Sequence, residues 1–259
     1  MTTCYVEVTE IAGEPISAEQ LYRLHHRYMW AASRCAGKDV VEAACGVGPG
    51  LGILSRAART LQAGDVSDPI VKIAQRTYAG RVNVTRFDAQ EMPYADRSVD
   101  VVLLFEALYY IPDPDAFLRE CVRVLRPDGQ VLIVTANKDL WDFHPSAYSY
   151  RYFGVLELQE LLAAHGFACE FFAIQPADRS SLRQRVLRPV KKFAVAAGLM
   201  PKTMAGKRWL KRIVFGPELP MPAELREDAM TYAPPEKIES GKADRRHKII
   251  YCAARLTKG

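Results

Sequence analysis

Two short runs, VVLLF at residues 101–105 and VLIV at residues 131–134, limit the fold more than any other feature of the chain. Each is continuous, apolar and rich in β-branched residues, and each is too short to be a buried helix. That is the pattern of a strand covered on both faces. The runs belong to a series. Strand-like segments at Asp39–Ala43, Thr60–Ala63, Val82–Phe87, Val99–Phe105 and Gln130–Thr135 alternate with helical patterns over Gly50–Arg59, Pro69–Tyr78 and Asp115–Leu125. A helix at Val155–His165 then precedes a strand at Phe167–Ile174, and Lys248–Leu256 reads as one more strand. Such alternation implies a mostly parallel sheet of right-handed βαβ units, a doubly wound α/β fold. Ahead of it, residues 17–36 form a helix, with Ser17 and Gln20 spaced for a capping box. Asp128-Gly129 marks a tight turn into Gln130–Thr135.

Charge divides the chain. Residues 1–174 hold 16 Lys/Arg and 22 Asp/Glu, whereas residues 175–259 hold 19 and 8. Between Arg179 and Pro217 there are 11 basic residues and no acid. The stretch between Ile174 and Lys248 is rich in Pro, Lys and Arg and has no strand pattern, with room for short helices at Val190–Gly198 and Met204–Phe215. An acidic body therefore carries a basic insertion. A hydrophobic content of 49% excludes a disordered chain. No run approaches the 18 or so apolar residues of a transmembrane helix. The opening MTTCYVEVTEIAGEP has acids and no basic region, so no signal peptide is expected. The cysteines at 4, 35, 45, 121, 169 and 252 form no C-x-x-C pair. They read as reduced thiols of a cytoplasmic protein with no metal site.

The sharpest motif is VVEAACGVGPGLG, residues 40–52. A strand ends in Glu42, and Gly46, Gly48 and Gly50 follow before a helix begins. Glycines let the backbone turn and approach a ligand closely, and the helix start offers unpaired N–H groups. An acid after the second strand, Asp65 in Gly64-Asp65-Val66-Ser67, is placed to accept both hydroxyls of a ribose. After the third strand, Asp88 in Arg86-Phe87-Asp88-Ala89 is placed to accept from an adenine amino group.

With these motifs the chain resembles the class I S-adenosylmethionine-dependent methyltransferases. EAACGVGPG resembles their E/D-x-x-x-G-x-G-x-G loop, GDVS their ribose segment, FDAQEMPYADRSVD their adenine segment and RVLRPDGQVLIV their R-V-L-K-P-G-G turn. Four motifs in order, across roughly residues 25–174, make the likeness specific. Asp128 departs from it, standing where Gly is usual, at a turn remote from the cofactor.

The resemblance implies a Rossmann-like sheet of seven strands, the last one reversed, with an inserted cap. Residues 1–36 would lie over the cofactor site, residues 37–175 form the cofactor-binding core, residues 176–246 the cap, and residues 247–259 the returning strand. S-adenosylmethionine would lie across the C-terminal strand edge. Its methionine would meet Glu42, Ala44, Cys45 and Gly46 of the loop that also holds Gly48. Asp65 would hold the ribose, Val66 would face the adenine, and Asp88 and Ala89 would take its edge. Phe105 and Glu106 would face the methionine end, with Tyr28 closing over the cofactor.

Methyl transfer to a hydroxyl needs a general base. His144 is the first candidate, because imidazole titrates near neutral pH. Glu106 is the second, with holding the cofactor amine as its other role. Tyr109, Tyr110 and Tyr148 are candidates to shape the acceptor pocket, and Arg179 and Arg183 to meet an anionic group. FEALYYIPDPDAFLREC lacks the Asn/Asp/Ser-Pro-Pro-Tyr/Phe motif of enzymes that methylate planar nitrogens, and resembles the branch that modifies small molecules. The expected acceptor is a small natural-product, sugar or lipid-linked molecule, methylated at oxygen. The basic insertion leaves open a peripheral membrane contact through Met204–Phe215. Two alternatives are an RNA-modifying enzyme, against which the cap's few aromatics argue, and a non-catalytic cofactor-binding partner.

Overall fold

The computed structural model describes residues 9–141, 143–176 and 218–257. Its centre is an eight-stranded sheet in the order β4-β3-β2-β5-β6-β10-β7-β9. The strands are β2 (Asp39–Ala43), β3 (Thr60–Asp65), β4 (Asn83–Arg86), β5 (Val99–Phe105), β6 (Leu125–Ala136), β7 (Phe167–Pro176), β9 (Glu236–Ile238) and β10 (His247–Leu256). Strands β4, β3, β2, β5 and β6 pair in parallel, and β10 runs antiparallel between β6 and β7.

Strand β5 shows why the sequence folds this way. Val101 and Leu103 face one layer and Val102 and Leu104 the other, and all four are fully buried. The first layer holds Leu24, Tyr28 and Trp30 of α1 (Ala18–Cys35) and Ile53 and Leu54 of α2 (Leu51–Ala57). The second holds Phe117, Leu118 and Cys121 of α4 (Pro114–Val124) and Leu158 and Leu162 of α5 (Val155–Ala164). Helix α3 (Asp68–Tyr78) packs Val71, Ala74 and Tyr78 against β3 and β4. Ser17 caps α1 with the expected box: its hydroxyl accepts from Gln20 N at 3.2 Å, and its own N–H donates to Gln20 Oε1 at 3.3 Å.

Three features depart from the sequence reading. Asp128-Gly129 lies inside β6, not before it. The pairing of β5 shifts from Val99↔Leu125 to Val101↔Gln130, so the residues between bulge out, with Asp128 at φ 65°. Second, the sheet gains an eighth strand, since β9 pairs antiparallel with β7. Third, the described part of the region expected as a cap, residues 218–246, is bound to the core. Strand β8 (Glu218–Pro220) pairs with β1 (Pro15–Ser17), and Met221 and Leu225 are 3% and 2% exposed in the layer beneath α1. His25 Nε2 meets Arg226 O at 3.1 Å, and His26 Nε2 meets Ala233 O at 2.8 Å. These pairings form between segments some 200 residues apart, so no local periodicity announces them. Among the described residues no helix is long and apolar enough to cross a membrane.

Candidate active site

A cavity of about 480 Å³ opens beyond the C-terminal ends of β2, β3, β4, β5 and β6. It spans the point where the strand order reverses between β2 and β5, the place at which open α/β sheets receive ligands. The glycine loop forms one wall. Ala44, Gly46 and Gly48 all take left-handed backbone, with φ of 53°, 58° and 72°. Gly48 does not face the cavity; it braces the loop from behind. Tyr78 of α3 donates its hydroxyl to Gly48 O at 2.6 Å and accepts from Gly52 N at 3.2 Å. Gly50 makes room for Tyr28, whose ring would lie 2.1 Å from a Cβ at that position.

Glu42, at the end of β2, is 1% exposed. Its Oε1 accepts from Tyr28 Oη at 2.7 Å, and its Oε2 is buried with no hydrogen-bond partner. Burial pushes its pKa up to about 7, against the opposing effects of the Tyr28 hydroxyl and the Arg27 guanidinium. Cys45 beside it is a buried thiol, its pKa raised by burial. Asp65, at the end of β3, is held by backbone. Gly46 N donates to its Oδ2 at 3.1 Å and Ser67 N to its Oδ1 at 3.0 Å. Burial raises its pKa against those bonds. The bonds fix the carboxylate plane and leave lone pairs facing the cavity. Val66 next to it is 41% exposed, an apolar side chain on an open wall. Across from it stand Ala89, buried, and Asp88, exposed and bonded by Gln90 N at 2.8 Å.

At the other end Phe105 and Glu106 leave β5. Glu106 has φ 51°, is half-buried, and accepts from Tyr109 Oη at 3.0 Å. Burial raises its pKa, and Arg27 and Arg23 oppose that rise. Tyr109 and Tyr110 line this end with Ala136 of β6 and Ile249 of β10. The cavity therefore gathers Tyr28, Glu42, Ala44, Cys45, Gly46, Asp65, Val66, Asp88, Ala89, Phe105 and Glu106 with the two tyrosines.

His144 and Tyr148 are not brought to it. The segment after β6 folds back onto the turn after β5: Tyr152 stacks on Tyr109 at 4.4 Å, Phe143 meets Tyr152 edge-on at 4.7 Å, and Tyr150 N donates to Tyr109 O at 2.8 Å. That packing is satisfied by Phe143 and Tyr152, and it leaves His144 and Tyr148 exposed outside the cavity lining. Arg179, Arg183 and Met204–Phe215 lie outside the described residues.

Other lining residues escaped the sequence reading. Gln20, Arg23, Leu24 and Arg27 share the cavity face of α1 with Tyr28. Their helical spacing from Tyr28 was the available signal. Glu10, from the segment before β1, also lines the cavity. Among the described residues no group of three or more His, Cys, Asp or Glu could hold a metal ion, and the five cysteines are free.

Residues 41–133 match the family model described as a methyltransferase domain. A probable S-adenosylmethionine-dependent methyltransferase from Mycolicibacterium smegmatis is 36% identical over 147 residues, 55% of this chain and 57% of that protein. A ubiquinone biosynthesis O-methyltransferase from Pseudomonas fluorescens is 30% identical over 145 residues, 52% of this chain and 59% of that protein. The chain thus spans under two thirds of the length of either relative. The YcgJ protein from Bacillus subtilis is alike in fold, with a TM-score of 0.57 at 17% identity over 91% of this chain and 100% of that one. Glycine loop and strand order agree with these likenesses: residues 41–133 match the methyltransferase-domain family, and over about half its length the chain is similar to S-adenosylmethionine-dependent methyltransferases.

Proposed function

We propose that the chain transfers the methyl group of S-adenosylmethionine to a hydroxyl oxygen of a small-molecule acceptor. The residues present fit that cofactor. Asp65 offers fixed acceptor oxygens to a ribose, with Val66 and Ala89 as apolar surfaces for adenine and Asp88 as acceptor for its amino group. The unpartnered Oε2 of Glu42 suits an ammonium, and the left-handed loop admits a close backbone approach. When bound, S-adenosylmethionine supplies an electrophilic methyl on a sulfonium. The chain's residues orient the reactants and exclude water.

The observation that carries the choice of oxygen is the Glu106–Tyr109 pair at the far end of the cavity. A hydroxyl must lose its proton as the new bond forms, and a positioned side chain must receive it. Glu106 is a cavity-facing carboxyl whose pKa burial has raised, and its partner Tyr109 can pass it a proton across 3.0 Å. In this reading Glu42 faces the cofactor and Glu106 faces the acceptor. The small-molecule class is supported by the relative from Pseudomonas fluorescens, whose name gives it a role in ubiquinone biosynthesis.

The test is an acceptor screen over hydroxylated small molecules, scored by S-adenosylhomocysteine release. With an acceptor in hand, Glu106→Gln is expected to lower turnover by about 10²–10⁴-fold while leaving S-adenosylhomocysteine affinity nearly unchanged. Full turnover in that variant would refute oxygen transfer through Glu106.

A further inference from the structure

We propose that Glu224, which lies outside the cavity lining, positions the glycine loop for cofactor binding, as part of a strap that residues 221–227 lay against the loop. The proposal rests on the cofactor reading above and adds a residue that acts through the loop, not on the ligand.

The strap grips the loop through two neighbouring residues. Leu225 N donates to Pro49 O at 2.7 Å, and Pro49 lines the cavity. Glu224 lies against Gly52 in the first turn of α2, so closely that a Cβ on Gly52 would overlap its carboxylate. Glycine is a weak helix former, and at this position its missing side chain is the room that Glu224 occupies. Arg81 fixes the carboxylate from the other side, donating from Nη2 to Oε2 at 2.7 Å and from Nη1 to Oε1 at 3.2 Å. That forked pair holds the Glu224 carboxyl below its ordinary range. The Arg81 guanidinium in turn lies over the Tyr78 ring, 5.1 Å from its centre. Tyr78 is the residue whose hydroxyl bonds Gly48 O and Gly52 N. Glu224, Arg81 and Tyr78 are therefore one chain of contacts that ends on the loop's own backbone.

The energetics point to a local task. Arg81 is half-exposed, and an ion pair of that kind contributes little to the stability of a whole fold. What these contacts fix is the shape of the loop, whose left-handed turns at Gly46 and Gly48 must be in place before a ligand can approach the backbone. A loop already held in its bound shape has less to lose in ordering when the ligand arrives. The start of the strap is anchored too. Met221 N donates to Glu14 O at 2.9 Å, and Gly13 N donates to Met221 O at 2.8 Å. Gly13 and Glu14 lie between Glu10 and Gln20, both of which line the cavity. The strap thus ties the glycine loop to the segment that leads into α1, joining two walls of one pocket.

The experiment combines calorimetry of S-adenosylhomocysteine on the full chain, well below its melting temperature, with amide hydrogen exchange. Glu224→Ala is expected to weaken binding by about 3- to 10-fold, the equivalent of one hydrogen bond. Glu224→Gln keeps the volume against Gly52 and an oxygen for Arg81, and should bind within about twofold of wild type. Gly52→Ala puts a Cβ where the carboxylate lies, so it should weaken binding by about 3- to 10-fold even though Ala is the better helix former. Adding Glu224→Ala to Gly52→Ala should cost no more than about twofold further, because both remove the same contact. In the free chain Gly48 N bonds Cys45 O and Leu51 N bonds Gly48 O. Those two amides should exchange about 3- to 10-fold faster in Glu224→Ala, with the amides of β5 unchanged. Wild-type affinity in Glu224→Ala, or losses that multiply in the double variant, would overturn the proposal. Faster exchange across the whole sheet would overturn it too, as the mark of a general loss of stability. A wild-type chain that binds no S-adenosylhomocysteine would sink the cofactor reading itself, a result distinct from a wild-type chain that binds while Glu224→Ala binds equally well.

Discussion

Replacing Glu42 by Gln should make the free protein more stable and the cofactor weaker-bound, and the size of the first effect should depend on pH. Burial lifts the Glu42 carboxyl from its ordinary 4.5 to about 7. The folded chain therefore holds this proton more tightly than the unfolded chain does. The contribution of Glu42 to stability falls as pH rises from about 4.5 to about 7 and is then level, because its carboxyl ionises first in the unfolded state. At about 1.4 kcal/mol per decade, the full penalty above pH 7 is about 3 kcal/mol. Gln keeps an oxygen for the Tyr28 hydroxyl, and its amide takes the place of the unpartnered Oε2 without a charge to desolvate. At pH 8 the gain is then about 2–3 kcal/mol, or about 5–10 °C in melting temperature for a chain of this length. At pH 4.5 the two proteins should melt together. Thermal melts of both across pH 4.5–8 are the assay. Asp65 and Glu106 titrate alike in the two proteins, so the difference isolates Glu42. A melting difference that stays constant with pH would refute the reasoning, as would a variant that gains stability yet binds S-adenosylhomocysteine as tightly as before.

Two further outcomes are expected. Tyr78→Phe removes the hydroxyl that bonds Gly48 O and Gly52 N; it should cost about 1–3 kcal/mol in denaturant unfolding and weaken S-adenosylhomocysteine by loosening the loop, and unchanged affinity would separate that brace from the site. His247 is 1% exposed and lies between Asp244 Oδ2 at 2.8 Å and Glu236 Oε1 at 2.6 Å. Burial works to lower its pKa, but the two carboxylates prevail and raise it. Its contribution is complete below 6.5 and fades as pH climbs through the raised value. His247→Gln should accordingly cost about 1–2 kcal/mol more at pH 6 than at pH 9, a figure reduced because Glu236 is half-exposed; an equal cost at both would refute an ionised histidine there.

The parts of the fold that were legible are those specified by neighbouring residues. Strands β2 and β5 run over Asp39–Ala43 and Val99–Phe105 as their apolar runs predict. Ser17 and Gln20 mark the start of α1 through a contact three residues long. Strands β8 and β9 were hidden because three residues cannot display an alternation, and their partners lie at the far end of the chain or across the basic segment. The site divides in the same way. Glu42, Asp65 and Asp88 stand at strand ends, which the pattern of strands locates. Arg27 lines the cavity from the same helix as Tyr28, so its position could have been inferred. His144 was chosen for its titration range alone. What decides its place is the stacking of Tyr152 on Tyr109, and no property of an imidazole encodes that.

Strand β10 lies between β6 and β7, although both precede it in the chain. During synthesis the hydrogen-bonding edge of β6 stays open until residues 247–256 have been made. The half-sheet from β4 to β6 must wait with an apolar rim exposed, a state prone to pairing with other chains. Ile250, Tyr251 and Cys252, all fully buried, close that rim, so the core is complete only once β10 is in place.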